Sequence, residues 1–131
     1  LTCSMILEEG LPVETLRKVV DSMQKAAKKA GVQIVTGDTK VVNRGCADKL
    51  FINTAGIGVI PPNIDISPRH IQPGDVIIIN GEIGNHGAAI LITRGELALE
   101  TNIESDCQPL HELVAEIIKV CPQIHAMRDA T

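Results

Sequence analysis

The sequence predicts an α+β fold, in which helices cover a mixed β-sheet, and three observations support this prediction. An amphipathic helix follows Pro12, apolar stretches typical of strands flank that helix, and a glycine-rich loop follows a further apolar run that begins at Val76. The chain has 131 residues, of which 44% are hydrophobic and 21% are charged. This size and composition are those of a folded protein with a core of its own.

The first two elements are a strand and a helix. Residues 1–7 form a short apolar stretch, which we interpret as a strand that ends before Gly10. From Pro12 onwards, apolar side chains recur at spacings of three and four, which places them on one face of a helix. These side chains belong to Val13, Leu16, Val20, Met23, Ala27 and Ala30. Pro12 suits the first turn of a helix, and Gly31 ends the pattern.

Two further strands are predicted, over residues 32–42 and 50–60. A polar connection, residues 43–49, joins them, and a long hairpin is the simplest arrangement. The order strand, helix, strand, strand predicts a mixed sheet with the helix on one face.

The second half of the chain begins with a loop that is rich in proline. Residues 72–75 have the composition of a turn, and residues 76–80, which are apolar up to Ile79, are predicted to form a buried strand. A glycine-rich loop, residues 81–87, leads into a helix that starts near Ala88. A last amphipathic helix covers residues 110–118 and ends before Pro122.

Composition excludes several classes of function. The formal charge of −4 and the single aromatic residue, Phe51, argue against binding of nucleic acid. No apolar run is long enough to cross a membrane, and no signal-peptide pattern is present, so we expect a cytoplasmic protein. The chain lacks an initiator Met and is expected to be an internal piece of a longer protein. The four cysteines and four histidines show no metal-ligand spacing, and reduced thiols are favoured.

The first candidate site is the pair Asp38 and Lys40, which project to one face of an extended strand. A carboxylate can hold Mg²⁺ against phosphates, and an ammonium can offset charge as a phosphoryl group moves. The alternative interpretation is an ion pair on a face that is exposed to solvent.

The second candidate is the loop formed by Gly84, Asn85, His86 and Gly87, since a helix N-terminus favours anions such as phosphate. A plain turn between a strand and a helix is the alternative, because neither established nucleotide fingerprint is present. Asp129 and Thr131 form a third candidate, as helix caps or phosphate contacts. We interpret residues 104–106 as a capping and turn cluster without a catalytic role.

Several long segments follow one another along the chain: MILEEGLP at 5–12, TGDTKVV at 36–42 and DKLFINTAG at 48–56, and then residues 74–78, 81–87, 104–107 and 126–131. Together and in this order, these segments resemble the HypE family of hydrogenase maturation proteins. That family is similar to the aminoimidazole ribonucleotide synthetase group of ATP-binding enzymes. The resemblance implies that residues 1–60 end an ATP-binding, dimer-forming N-terminal domain. Residues 61–74 would then connect it to a second α/β domain that begins with residues 75–131.

The resemblance also implies an activity for the full-length protein. The family uses ATP and Mg²⁺ to dehydrate an S-carbamoyl group on its own C-terminal cysteine to a thiocyanate, which donates cyanide to the iron of a [NiFe] hydrogenase. The implied partners are a second copy of the chain, the carbamoyltransferase HypF and the HypC–HypD iron-carrier complex. The C-terminal cysteine is none of the four cysteines present, and we expect this chain alone to be inactive.

The roles of individual residues follow from the same resemblance. Lys40 would be catalytic, and Asp38 would lie near Mg²⁺ and the phosphates. The other implied contacts to ATP are Thr39, Gly84, Asn85, His86, Gly87 and Asp129. Asn85 stands where some members of the family have Asp.

Two other functions stay open at this point. The chain is also compatible with a sister enzyme of the same group, of the selenophosphate or thiamine monophosphate type, in which the acceptor substrate differs. The second possible function is that of a non-catalytic oligomerisation module. In such a module, the strand predicted at residues 50–60 would pair with a partner sheet.

Overall fold

The structure is a computed structural model that describes residues 1–96 and 102–130. It divides into two units, Leu1–Ile60 and Pro61–Thr131. The first unit contains β1 (Thr2–Glu8), α1 (Val13–Lys29), β2 (Thr36–Val42) and β3 (Leu50–Ala55). The second contains a short 3₁₀ turn (Pro68–His70), α2 (Asn85–Thr93) and α3 (His111–Val120). The predicted α+β class is confirmed.

β1 is the central strand of a three-stranded mixed sheet in the order β2-β1-β3. It runs parallel to β2 and antiparallel to β3, so the prediction of a mixed sheet is confirmed. The predicted hairpin between the second and third strands is wrong, because β1 lies between them. α1 is the crossover between β1 and β2, which allows β2 to run parallel to β1. β3 then pairs with the other edge of β1 in the antiparallel direction.

β2 and β3 are shorter than the sequence predicts, because β1, which pairs with both of them, begins at Thr2. Thr2 pairs with Thr36 in β2 and with Ala55 in β3. Residues 32–35 and 56–60 therefore lie beyond the reach of the ladder, although the Val35 N–H donates to the Leu1 carbonyl at 3.0 Å. The shared partner strand thus sets the length of both neighbours.

α1 covers the sheet face that carries Cys3 and Met5. Met23 and Ala27 of α1 line a cavity of about 1230 Å³ together with these two β1 side chains. Cys3, at 7% exposure, is the only buried hydrophobic residue in the described part of the chain. The core of the first unit therefore lies between the helix and this face, as the apolar stripe of α1 predicts.

Gly37 allows β1 and β2 to approach each other closely. It pairs with Cys3, and a Cβ atom built on Gly37 would lie 1.9 Å from the Cys3 carbonyl oxygen. Such a contact is far shorter than any van der Waals distance, so a side chain here would force the two strands apart. The glycine of the TGDTK segment therefore has a structural role in the sheet.

Glu8, at the end of β1, holds the connection between β2 and β3. Its carboxylate accepts hydrogen bonds from the backbone N–H groups of Gly45 and, at 3.0 Å, of Lys49. The Glu8 N–H donates to the Lys49 carbonyl at 2.8 Å. Lys49 has a φ of +64°, a left-handed conformation that a residue other than glycine adopts only when its surroundings hold it there.

The second unit differs from the sequence prediction in its first element. The predicted strand at residues 76–80 is wrong, because these residues have no regular secondary structure, and Val76, Ile77 and Ile78 are 83%, 91% and 86% exposed. A strand needs a neighbouring backbone for its N–H and C=O groups, and no other described segment pairs with this one. The turn before it is present, with the Gln72 N–H donating to the Asp75 carboxylate at 2.9 Å.

Both predicted helices of the second unit are present. α2 begins at Asn85, three residues before the predicted start, and α3 covers His111–Val120. None of the helices in the described ranges is both long enough and apolar enough to cross a membrane.

Replacement of Gly37 by alanine is expected to destabilise the full-length protein by about 1–3 kcal/mol, because the new Cβ would meet the β1 backbone. Urea unfolding measures the change. Gly58→Ala is the matched control, since its Cβ would meet no described atom within 4 Å. Equal stability of the two variants would show that Gly37 does not limit the approach of the strands.

Replacement of Glu8 by alanine is expected to cost about 1–3 kcal/mol, because two backbone N–H groups would lose their acceptor. Hydrogen exchange at the amides of Gly45 and Lys49 should become faster in the variant. Glu9→Ala removes a neighbouring exposed carboxylate and should leave both exchange rates unchanged. Unchanged exchange in Glu8→Ala would contradict the role of Glu8.

Candidate functional site

The predicted pair Asp38 and Lys40 lies on β2, with both side chains on the sheet face opposite Cys3 and Met5. Side chains alternate between the two faces along a strand, and residues that pair across a sheet share a face. Asp38 pairs with Ser4 of β1, and Ser4 pairs with Asn53 of β3. Asn53, Ser4 and Asp38 therefore form a polar row across all three strands.

The row next to this one is more apolar and contains the cation. Lys40 pairs with Ile6, and Ile6 pairs with Phe51. Ile6 and Phe51 are 42% and 52% exposed, and Lys40 is also exposed. This face of the sheet thus combines an ammonium, a carboxylate, a hydroxyl and an amide with an apolar surface that no described residue covers.

Neither charge of the pair neutralises the other. The part of the chain that the structure describes contains no ion pair between Asp38 and Lys40, so the alternative of a solvent-face ion pair is wrong. One oxygen of Asp38, Oδ1, accepts the Thr39 N–H at 2.8 Å. The other oxygen and the Lys40 ammonium have no hydrogen-bonding partner in the described ranges, and both can bind a ligand.

The structure separates Thr39 from its two neighbours. Thr39 pairs with Met5, so its side chain lies on the face that α1 covers, opposite to those of Asp38 and Lys40. Ser4 and Asn53 are the polar residues that sequence reasoning missed. Alternation along each strand could have placed them on a face, but only the register shows that they lie beside Asp38.

The glycine-rich loop of the second unit forms the N-terminus of α2. Gly84 is the residue before the helix, with a φ of +88°, and the side chain of Asn85 donates to the Glu82 carboxylate. The His86 N–H donates to Asp106 Oδ1 at 3.1 Å. The helix N-terminus therefore binds a carboxylate of the chain itself. A phosphate contact of this loop stays a prediction.

The segment that contains Asp106 also contacts the His86 ring. The Nδ1 atom of His86 lies 2.9 Å from Ser105 Oγ and 3.6 Å from Cys107 Sγ. The Cys107 N–H donates to Ser105 Oγ at 3.2 Å, which closes a small turn. The interpretation of residues 104–106 as a capping and turn cluster is confirmed for Ser105 and Asp106.

The third predicted site is at the end of the described residues. Asp129 is exposed, and its Oδ1 lies 3.3 Å from an Arg128 guanidinium nitrogen. Thr131 lies outside the described residues. A phosphate contact by Asp129 stays a prediction.

A further pair of interacting side chains, Asp75 and His125, is not evident from the sequence. The His125 Nδ1 atom lies 2.9 Å from both carboxylate oxygens of Asp75. The hydrogen bond from the Gln72 N–H and that to His125 hold the pKa of Asp75 below its usual value of 3.8. The His125 carbonyl accepts the Ser67 N–H at 2.9 Å. His125 therefore connects its segment to two loops of the second unit.

The described residues contain no group of three or more His, Cys, Asp or Glu side chains with the geometry of a metal site. Cys3, Cys46, Cys107 and Cys121 are all free thiols in the structure. Among the predicted site residues, Asp38 is the one that offers an unbonded carboxylate oxygen on an open face, and such an oxygen suits a hard cation held by phosphates.

Comparison with known proteins identifies the class to which this fold and this face belong. The family model for the N-terminal domain of AIR synthase related proteins matches residues 1–60, and the model for the C-terminal domain matches residues 72–131. The chain belongs to the AIR synthase related family of proteins.

Within that family, the chain is similar to HypE proteins. It is 52% identical over 131 residues to the carbamoyl dehydratase HypE of Rhodobacter capsulatus, a match that covers 100% of this chain and 38% of that protein. A crystal structure of HypE in complex with ATP matches with a TM-score of 0.91 and 48% identity, over 98% of this chain and 38% of that one. A HypE–HypF complex matches with a TM-score of 0.92 and 48% identity, over 98% of this chain and 42% of that one. The chain thus spans about two fifths of the length of these relatives.

The Asp75 carboxylate predicts a dependence of stability on pH. Because the pKa of Asp75 is lower in the folded protein, its stabilising effect is fully present above the unfolded pKa of about 3.8 and is lost as pH falls through the lower folded pKa. Asp75→Asn should therefore destabilise the protein near pH 5, and its difference from the wild type should shrink as pH decreases below 3.8. Urea midpoints at a series of pH values, between about 5 and about 2, measure this difference.

Glu104→Gln is the control for this experiment, since Glu104 is an exposed carboxylate of the same unit. Its difference from the wild type should stay small across the series. A difference for Asp75→Asn that does not change with pH would contradict the assignment.

Proposed function

We propose that the protein containing this chain is an ATP-dependent carbamoyl dehydratase of hydrogenase maturation. The observation that carries the proposal is the open sheet face with unpaired Asp38 and Lys40, in a chain that is 52% identical over its whole length to a protein named carbamoyl dehydratase HypE. The ATP complex of a HypE that is 48% identical supports the use of ATP.

The proposed substrate is an S-carbamoyl group on the C-terminal cysteine of the same protein. Its carboxamide oxygen attacks the γ-phosphorus of ATP, the bond to the ADP oxygen breaks, and ADP leaves. The nitrogen then loses its two protons, the C–O bond breaks, and phosphate leaves with the former amide oxygen. The product is a thiocyanate. Phosphorylation is needed because an amide oxygen is a poor leaving group, whereas phosphate is a good one.

Lys40 and Asp38 have distinct roles in this proposal. The Lys40 ammonium offsets the negative charge that builds up on the phosphoryl group during transfer. The free carboxylate oxygen of Asp38 helps to hold Mg²⁺, which supplies a compact positive charge for the phosphates when it is bound. Ser4 and Asn53, in the same row as Asp38, offer a hydroxyl and an amide that can orient the substrate.

The residues at the start of α2 belong to the proposed ATP site on the strength of the family resemblance. They are Gly84, Asn85, His86 and Gly87. The resemblance also implies Asp129 and Thr39, although the Thr39 side chain lies on the sheet face opposite to Asp38 and Lys40. The His86 N–H donates to Asp106, so phosphate must compete with that carboxylate for this N–H group.

The proposed partners are a second copy of the chain, a HypF carbamoyltransferase and a HypC–HypD iron-carrier complex. The solved complex between HypF and a HypE that is 48% identical supports the second of these. An exposed edge of β3, with Phe51 and Ile52 at 52% and 41% exposure, supports the first, because an unpaired edge strand can extend a sheet into a neighbouring copy.

The decisive experiment follows the intact mass of the full-length protein after HypF has carbamoylated its C-terminal cysteine. With ATP and Mg²⁺, the wild type should lose the mass of one water molecule. Lys40→Ala should slow this loss by about 10²–10³-fold, as expected when one group that stabilises transition-state charge is removed. Lys25→Ala, which removes an exposed ammonium from α1, should react at the wild-type rate.

The possible outcomes test the dehydratase activity and the role of Lys40 separately. Loss of water that is equally fast in Lys40→Ala would keep the dehydratase and remove Lys40 from its mechanism. No loss of water in the wild type would overturn the proposal and favour a sister enzyme with another acceptor. Circular dichroism of both variants shows that a slow reaction is not caused by unfolding.

A further inference from the structure

The turn beside α2 contains an exposed thiol next to an imidazole. The proposed dehydration reaction has no step that uses this pair. Cys107 Sγ lies 3.6 Å from His86 Nδ1, a distance at which a thiol can donate its proton to a ring nitrogen. We propose that Cys107 is a site of covalent modification by low-molecular-weight disulfides, with His86 as the base that accepts its proton. The proposal does not depend on the dehydratase activity.

The surroundings hold the two groups together. Asp106 Oδ1 accepts the His86 N–H at 3.1 Å, and Ser105 Oγ accepts the Cys107 N–H at 3.2 Å. Ser105 Oγ also lies 2.9 Å from His86 Nδ1. Three consecutive residues are therefore fixed against the first turn of α2, and the thiol is positioned at the ring before any reagent arrives.

The protonation state of the ring decides what this contact can do. When the proton of a neutral imidazole is on Nε2, Nδ1 is an acceptor for one donor at a time. The Ser105 hydroxyl and the Cys107 thiol then compete for the same nitrogen. The hydroxyl has the alternative of donating to water, because Ser105 is exposed, so the ring is available to the thiol.

The proposed reaction is a thiol–disulfide exchange. The Cys107 proton moves to His86 Nδ1, and the resulting thiolate attacks one sulfur of the small disulfide. A new S–S bond forms, the old one breaks, and the released thiolate takes the proton from His86. Cys107 becomes part of a mixed disulfide with one half of the small disulfide, and the other half leaves as a thiol, so the number of disulfide bonds does not change. An excess of small thiol reverses the reaction.

The other cysteines of the chain serve as internal references. Cys46 and Cys121 are exposed like Cys107, but in the described ranges neither sulfur has a contact with a side-chain base. Cys3 is buried at 7% exposure. Exposure alone therefore predicts equal reactivity at residues 46, 107 and 121, whereas the proposed pair predicts that only Cys107 reacts fast.

The test uses the reduced full-length protein and oxidised glutathione as the probe. Samples are quenched with acid over time, and peptide mass spectrometry measures the mixed disulfide at each cysteine. Cys107 should react about tenfold or more faster than Cys46 and Cys121. In His86→Gln, the rate at Cys107 should fall to the rate at Cys121, while Cys46 stays unchanged. His111→Gln, which replaces an exposed histidine of α3, should leave all rates unchanged.

A wild-type Cys107 that reacts no faster than Cys121 would overturn the proposal, and so would an undiminished rate at Cys107 in His86→Gln. The comparison between cysteines of the wild type decides the question even if His86→Gln does not fold.

Discussion

The pairing of β1 on both of its edges is the constraint from which the rest of the first unit follows. One edge binds β2 in parallel, and the other binds β3 in the antiparallel direction. A parallel neighbour needs a crossover, which α1 supplies, and the helix of that crossover must lie on one face of the sheet. The central strand thus decides where the helix is placed, where the neighbouring strands end, and which face is left open.

The close approach of Gly37 to Cys3 connects this constraint to the proposed chemistry. Without a side chain at Gly37, β2 can lie directly against β1, and the alternation of side chains then directs Asp38 and Lys40 away from α1. A shift of the register by one residue would turn both charges into the apolar layer below the helix. The glycine therefore serves the site by fixing the strand on which the charges lie.

Features that depend on nearby residues could be predicted from the sequence, and those that depend on distant pairing could not. α1 follows from the spacing of Leu16, Val20 and Met23, because a helix is closed by bonds between neighbouring turns. The order of the strands depends on which edge of β1 each one binds, and no local pattern encodes that choice. The polar row of Asn53, Ser4 and Asp38 was missed for the same reason. So was the contact between His86 and Cys107, which lie 21 residues apart.

The N-terminus of α2 is occupied by a carboxylate of the chain itself, and this bears on the nucleotide contact proposed for the second unit. A helix N-terminus stabilises one negative charge close to its free N–H groups, and Asp106 already supplies this charge at the His86 N–H. A phosphate that takes the same N–H must displace a carboxylate, which then moves into water at little cost because Asp106 is exposed. The net gain in binding free energy is the difference between the interactions of the two anions with the helix end. It is smaller than the gain when an anion binds to an empty helix end. The contact proposed between the glycine-rich loop and a phosphate therefore stabilises less than a contact at an empty helix end would.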